Sequence, residues 1–232
     1  MIKKDKKIIC IIIARGGSKG IKNKNLKKIN GKPMIFWTIK HAKNCKFIKH
    51  IWVSSDSNAI LNYSKKKGTN ILVRPKKYAN DFSSSEDAWL HAINFIEKKG
   101  YQFDYVLAPQ VTSPLRHKKD FEKAINFFFK NKFDSLFSCQ STKEYNFLWR
   151  KVGKKLEANY NFFKRKRRQD IKEDYLENGS FYIFKKNGFL KTKNRLFGKI
   201  GNYKMSKLHS FEIDELEDIS ILNSLFKIRA QN

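Results

Sequence analysis

The sequence predicts an α/β protein: a doubly wound, mostly parallel sheet with helices on both faces. Three observations predict it. The run from Ile8 to Ala14 is apolar throughout and rich in isoleucine, which suits a strand buried on both faces. A glycine-rich, cationic loop from Arg15 to Asn25 follows directly, at the strand end where open α/β sheets place ligands. Strand and helix patterns then alternate at regular spacing as far as Ser138.

Each element has a local reason. Residues 33–44 begin with Pro at a first helical position and carry apolar residues at helical spacing, which predicts a helix. Residues 50–54 form a short strand ending at Ser54-Ser55-Asp56. Asp56 or Ser57 then caps a helix to about Lys67, and Gly68 stops it. Residues 71–73 are a strand. Ser84, with Asp87 three residues on, opens a helix to about Lys99. A strand at 105–108, a loop at 109–116, a helix at about 119–130 and a strand at 135–138 follow. From about 144 to 173 the alternation is lost. That stretch is basic, aromatic and irregular, and reads as a surface excursion, a dimer arm or a lid. Strand character returns at 179–184, a short strand at 209–213 runs into Asp214, and 216–229 is an amphipathic helix.

Composition narrows the function. The 232 residues suit a single domain, 1–232, with the excursion at about 144–173. No repeat is visible, and no apolar run reaches the length of a membrane span. The N-terminus imitates a signal peptide only faintly. Its apolar run is seven residues long, and Arg15 stands where small residues and a cleavage site would lie. Cys10, Cys45 and Cys139 are scattered, odd in number and without metal-ligand spacing, which predicts reduced thiols in a cytoplasm. The formal charge of +29 invites a nucleic-acid reading. Against it, lysines run along the whole chain, and Lys, Asn, Ile and Phe are abundant together, as an A/T-rich genome produces. A nucleic-acid module concentrates charge in one stripe with interleaved aromatics. The sharpest cluster is Lys164 to Arg168.

The loop after the first strand is built for an anion. Glycines let backbone N–H groups come close, and Arg and Lys supply countercharge. Gly16, Gly17 and Gly20 are too closely spaced for a Walker A loop, and the dinucleotide fingerprint also fails. The opening resembles that of nucleotide-sugar pyrophosphorylases. More narrowly, ARGGSKGIKNKN with Leu26 and Gly31-Lys32-Pro33 is similar to the CMP-sialic acid synthetases, the acylneuraminate cytidylyltransferases. Four further motifs continue the resemblance in order, from Ile8 to about Leu222. They are Arg74-Pro75 with Asp81 and Ser83 to Ser85, Gln110-Val-Thr-Ser-Pro-Leu-Arg116, Arg168-Gln169 with Asn178-Gly179 and Tyr182, and Glu212-Ile213-Asp214.

The resemblance implies a nucleotide-diphospho-sugar-transferase-like, Rossmann-like fold and a homodimer formed through the excursion. It implies CTP and an acidic sugar as substrates, and Mg²⁺ or Mn²⁺ as cofactor. Arg15 and Lys24 would grip the triphosphate, with Ala14, Gly17, Ser18 and Asn25 beside them. Arg74 and Ser85 would line the nucleotide pocket. Gln110 and Tyr182 would meet the sugar, and Arg168 its carboxylate. Asp214 would hold the metal, with Glu212 standing where the family has Asp.

The residue types suit these roles. Fixed cations and amides are what phosphoryl transfer needs. The planar fork of Arg fits a carboxylate or a base edge. A Gln amide both donates and accepts, which suits hydroxyl or N-acyl groups. Carboxylates two apart on a strand share a face, and Mg²⁺ takes one or two of them with phosphate oxygens and water. Local alternatives stand beside each role: a solvated turn for the loop, a strand-end Arg and a helix cap for Arg74 and Ser85, and loop stabilisation for Arg116. Arg168 also ends a basic run, and Asp214 also sits at a helix N-cap position. Asp56 is a further metal candidate. His41, His50, His91, His117 and His209 show no mutual spacing, and no residue stands out as general base. The resemblance implies a nonulosonate, sialic acid or a relative such as legionaminate or pseudaminate, with an eight-carbon Kdo-like acid as the alternative.

Overall fold

A computed structural model of the chain describes residues 6–17, 20–142 and 147–231. The first half runs β1 (Ile8–Ile13), β2 (Lys28–Ile29), β3 (Lys32–Pro33), α1 (Met34–Lys43), β4 (Ile48–Ser55), α2 (Asn58–Lys66), β5 (Asn70–Val73), α3 (Ser85–Lys98) and β6 (Tyr105–Pro109). The second half runs α4 (Asp120–Lys130), β7 (Ser135–Ser141), β8 (Trp149–Val152), β9 (Lys155–Ala158), β10 (Tyr175–Lys185), α5 (Lys186–Thr192), β11 (Ile200–Lys204) and α6 (Leu216–Gln231).

Seven strands form one sheet in the order β11-β7-β10-β6-β1-β4-β5. All pairings are parallel except those of β10, which lies antiparallel between β6 and β7. The chain leaves β1 toward β4 and β5 on one side and returns to β6 on the other. The strand order therefore reverses at β1, and such a reversal opens a crevice at the strand carboxyl ends.

The buried-strand reading of β1 holds in detail. Its residues alternate between two cores, because successive side chains of a strand point to opposite faces. Ile8, Cys10 and Ile12 pack with α1, α4 and α6 through Ile35, Ile39, Phe121, Ile125 and Leu222. Ile9 and Ile11 pack with α3 and α5 through Trp89, Ile93, Ile96 and Phe189. Helix α3 opens with the expected capping box: Ser84 Oγ accepts from the Asp87 amide at 3.0 Å, and the Ser84 amide donates back to Asp87 Oδ2 at 3.3 Å.

The segment expected as a strand at 209–213 differs. Residues 208–210 form a 3₁₀ turn and 211–214 are an extended loop outside the sheet. The Ile213 amide donates to the Thr112 carbonyl at 2.9 Å, and Ile213 is buried. The one-in, one-out alternation of a strand survives there without a ladder. Helix α5, β11 and the small β2–β3 and β8–β9 hairpins are additional to the expected elements.

Within the excursion, the β8–β9 hairpin stands on its own two-stranded sheet. The hairpin and the turn after it expose Leu148, Trp149, Leu156, Phe162 and Phe163, the last at 85 %. Trp149 lies 5.3 Å from Phe162, and Phe162 lies 4.2 Å from Phe163. Arg165 stacks over Phe147. No helix among the described residues is long and apolar enough to cross a membrane.

Candidate active site

A cavity of about 540 Å³ opens at the carboxyl ends of β1 and β6. Eight of the expected site residues line it: Arg15, Lys24, Asn25, Arg74, Ser85, Gln110, Glu212 and Asp214. They come from five separate segments and meet because the sheet brings its strand ends together.

The cationic glycine loop is braced at both ends. The Ala14 amide donates to the Ser54 carbonyl at 2.9 Å, tying the end of β1 to β4. Asn25 Nδ2 donates to the Arg15 carbonyl at 2.8 Å, so Asn25 holds the loop as well as lining the cavity. The Gly16 amide donates to Asp56 Oδ1 at 2.8 Å, and a Cβ on Gly16 would meet Ser57 Cβ at 2.9 Å. Asp56 does not line the cavity and has no place beside the acidic pair. It anchors the loop. Ala14 is buried, and Gly17 is exposed with open space around its Cβ position. Ser18 lies outside the described residues.

Both loop cations face carboxylates across the cavity. Arg15 Nη1 donates to Asp81 Oδ1 at 2.9 Å and to the Asn80 carbonyl at 3.1 Å. Lys24 Nζ donates to Asp214 Oδ1 at 3.0 Å. Arg74 differs. It is buried, among the described residues its Nε and Nη2 have no hydrogen-bond partner, and burial pushes its pKa down. Buried guanidinium nitrogens without acceptors on the cavity wall are a place for a ligand's acceptors.

Gln110 is held by its backbone. Its amide donates to the Ser180 carbonyl at 2.9 Å, and its carbonyl accepts from Arg116 Nη2. Arg116 is fully buried and donates also to the hydroxyls of Ser180 at 2.7 Å and Thr38 at 3.1 Å. Arg116 therefore stabilises the loop, as expected.

The acidic pair sits opposite. Ile213 points into the core, which turns Glu212 and Asp214 toward the cavity. Glu212 Oε1 accepts from Ser113 Oγ at 3.2 Å. Burial, and then the charge of Asp214, push the Glu212 pKa up to about 7. Gly179 makes room. Its φ is +59°, and a Cβ there would stand 2.8 Å from Glu212 Oε1. The neighbouring Asn178 is structural: Ser138 Oγ donates to its Oδ1 at 2.7 Å, and its Nδ2 donates to Ser210 Oγ at 2.8 Å. Two carboxylates on one cavity fit a divalent cation that takes its other ligands from phosphate oxygens and water. Among the described residues no cluster of three or more His, Cys, Asp or Glu could hold a metal alone.

One expected sugar contact, Tyr182, is not brought to this cavity. Tyr182 is 2 % exposed, packs against Trp89 and donates its hydroxyl to Glu177. It occupies an inward position on β10, so it is a core residue of the α3 side. Arg168 begins a short turn, Arg168–Asp170, on the excursion, and its side chain lies outside the described residues. The segment Tyr78 to Ser84 supplies much of the cavity wall, beyond the motif residues Asp81 and Ser83 to Ser85 that the sequence points to. Its signal was the polar run of Asn80, Asp81 and Ser83 between a strand and a capped helix.

Comparison with known proteins agrees with this arrangement. A family model described as cytidylyltransferase matches residues 9–232. The post-translational flagellin modification protein B of Campylobacter coli is 34 % identical over 229 residues, which is 95 % of each chain. N-acylneuraminate cytidylyltransferase A of Danio rerio is 34 % identical over 91 % of this chain, which spans only 49 % of that relative. Among solved structures, a CMP:2-keto-3-deoxy-manno-octonic acid synthetase complexed with CTP shares the fold. Its TM-score is 0.71 at 16 % identity, covering 96 % of this chain and 99 % of the other.

Proposed function

This chain belongs to the cytidylyltransferase family and is a nucleotidyltransferase, and from that premise we propose that it activates a nine-carbon 2-keto sugar acid with CTP. CTP and the sugar acid give the CMP-sugar and pyrophosphate. The observation that carries this reading is one cavity bearing a cationic glycine loop, an Arg74 guanidinium whose Nε and Nη2 have no acceptor among the described residues, and the Glu212–Asp214 pair. The chain spans about half the length of the N-acylneuraminate relative described above, so that protein's whole activity is carried over here as a proposal.

In this reading the anomeric hydroxyl attacks the α-phosphorus in line and pyrophosphate leaves. Arg15, Lys24 and the loop amides hold the triphosphate and offset the charge that builds on the leaving group. Arg74 and Ser85 receive the nucleoside, and Gln110 orients the sugar. Asp214 and Glu212 would hold Mg²⁺ or Mn²⁺, which neutralises phosphate charge when bound. The three free, buried cysteines support a reducing, cytoplasmic setting. A screen of CTP with nonulosonates and Kdo-like acids, monitored by pyrophosphate release, tests the reading. No release with any acid sugar would refute it.

The basic run at 164–167 is exposed, which keeps a nucleic-acid role as the rival reading. Arg168 separates the two. If Arg168 clamps the sugar carboxylate, Arg168→Ala raises the KM for sugar and hardly changes that for CTP, and Arg168→Lys rescues poorly because an ammonium cannot make the paired contact. If the run binds RNA, its cations are interchangeable and affinity falls steeply with salt. An unchanged sugar KM in Arg168→Ala removes the carboxylate assignment.

We assign the apolar face of the excursion to a second copy of the chain. Leu148, Trp149, Leu156, Phe162 and Phe163 together form an exposed apolar patch of the kind that marks a partner surface. Light scattering should return twice the 27.4 kDa chain mass. A stable, active monomer would count against it.

A further inference from the structure

We infer that Asp81 is the positioning residue for Arg15: its carboxylate, with the Asn80 carbonyl beside it, holds the Arg15 guanidinium across the cavity in the orientation that meets the triphosphate. This rests on the nucleotide reading above. Asp81 belongs to the Arg74-to-Ser85 motif, yet neither nucleotide contact nor metal binding uses it.

Three features carry the assignment. The first is which edge of Arg15 is used. Both acceptors sit on Nη1, and among the described residues Nε and Nη2 make no hydrogen bond. Nε and Nη2 form the side of the guanidinium that takes two oxygens of one phosphate or carboxylate in parallel. The anchor therefore leaves the binding edge open. A long cationic chain held at one nitrogen has already lost the rotamer freedom that phosphate binding would otherwise have to take from it.

The second feature is the rigidity of the anchor. Asn80 Nδ2 donates to the Lys77 carbonyl at 3.2 Å, and Asn80 Oδ1 accepts from the Phe82 amide at 2.9 Å. Ser83 Oγ donates to the Lys77 carbonyl at 2.8 Å. The next residue, Ser84, closes the capping box of α3. Asp81 thus sits in a loop tied to itself and fixed to the helix that follows.

The third feature is charge. Arg15 and Arg74 lie close enough that Arg15 adds to the lowering of the Arg74 pKa. A carboxylate on Arg15 offsets that repulsion while the cavity is without its anion. The same negative charge opposes an incoming triphosphate. Asp81 is 43 % exposed, however, so solvent screens that opposition, whereas the geometric restraint is unaffected by solvent. Orientation is therefore the larger effect.

Calorimetric binding of CTP alone tests this, with no need to know the sugar. Asp81→Ala should weaken CTP binding about ten-fold, the size of a typical coupling between touching residues. Asp81→Asn, which keeps an oxygen acceptor for Nη1, should recover part of the loss. In an Arg15→Ala background, Asp81→Ala should cost nothing further, because its effect passes through Arg15. Melting temperatures should be unchanged, since exposed ion pairs contribute little to stability. Losses that add would show that Asp81 acts independently of Arg15. Tighter CTP binding in Asp81→Ala would show a competitor in place of a positioner. Should Asp81→Ala not fold, Asp81→Asn alone and with Arg15→Ala carries the same comparison. If the unmodified protein binds no CTP, the nucleotide reading falls and takes this inference with it. If it binds and the losses add, only the inference falls.

Discussion

Lys24→Ala is expected to slow turnover on the order of 10²–10³-fold, the typical cost of one preorganised charge donor, while the fold stays intact. Lys24 lines the cavity, and its side chain is only 14 % exposed, so its charge acts in a partly water-excluded place. Its local turn does not depend on that side chain. The Leu26 amide donates to the Asn23 carbonyl at 2.9 Å, and the Lys27 amide to the Lys24 carbonyl at 3.1 Å. The ion pair lost with Lys24 ends on Asp214, whose side chain is 77 % exposed, and such a pair contributes little to stability. Saturating both substrates and following pyrophosphate release isolates the chemical effect, and circular dichroism checks the fold. A folded variant with near-normal turnover would remove Lys24 from the mechanism.

What could be read from sequence follows from which signals are local. The isoleucine run of β1, the Ser84–Asp87 box and the loop after β6 each declare themselves within a few residues, and all stand where expected. β11 did not declare itself. It is an edge strand, Ile-Gly-Asn-Tyr-Lys, with a glycine and polar side chains in place of an apolar run, and pairing with β7 makes it a strand. The Asn30-Gly31 dipeptide is a strong hairpin signal, but strands of two residues gave it no flanking pattern. At the site, glycine spacing and charge type singled out the loop whose Arg15, Gly20, Lys24 and Asn25 line the cavity. Tyr182 was misplaced because position within a motif does not say which face of a strand a residue takes, and β10 has an irregular register between Glu177 and Tyr182. The Asp81–Arg15 contact joins residues 66 apart, and no local pattern reports it.

Asp214→Asn is expected to be far more damaging than Glu212→Gln, and the two carboxylates should also differ with pH. EDTA should abolish activity, and Mg²⁺ or Mn²⁺ should restore it. Asp214 faces the cavity with an exposed side chain beside Lys24, open to a cation. Glu212 is more enclosed, bonded to Ser113, and has its pKa pushed up to about 7 by burial and by Asp214. A metal ligand must be deprotonated. Cation affinity, read by Mn²⁺ binding to the unreacted protein, should therefore rise with pH through about 7, and Glu212→Gln should remove that slope. Stability runs the other way. A carboxyl whose folded pKa lies above its unfolded value binds more protons when folded. Its contribution is fully present below about 4.5 and is lost as pH rises through about 7. Glu212→Gln should thus be more stable than the unmodified chain at pH 8 without metal, and added cation should narrow the difference by stabilising the chain that keeps its carboxylate. Equal, mild effects of the two substitutions on activity, with no change in the pH dependence of Mn²⁺ binding, would show that the pair is structural.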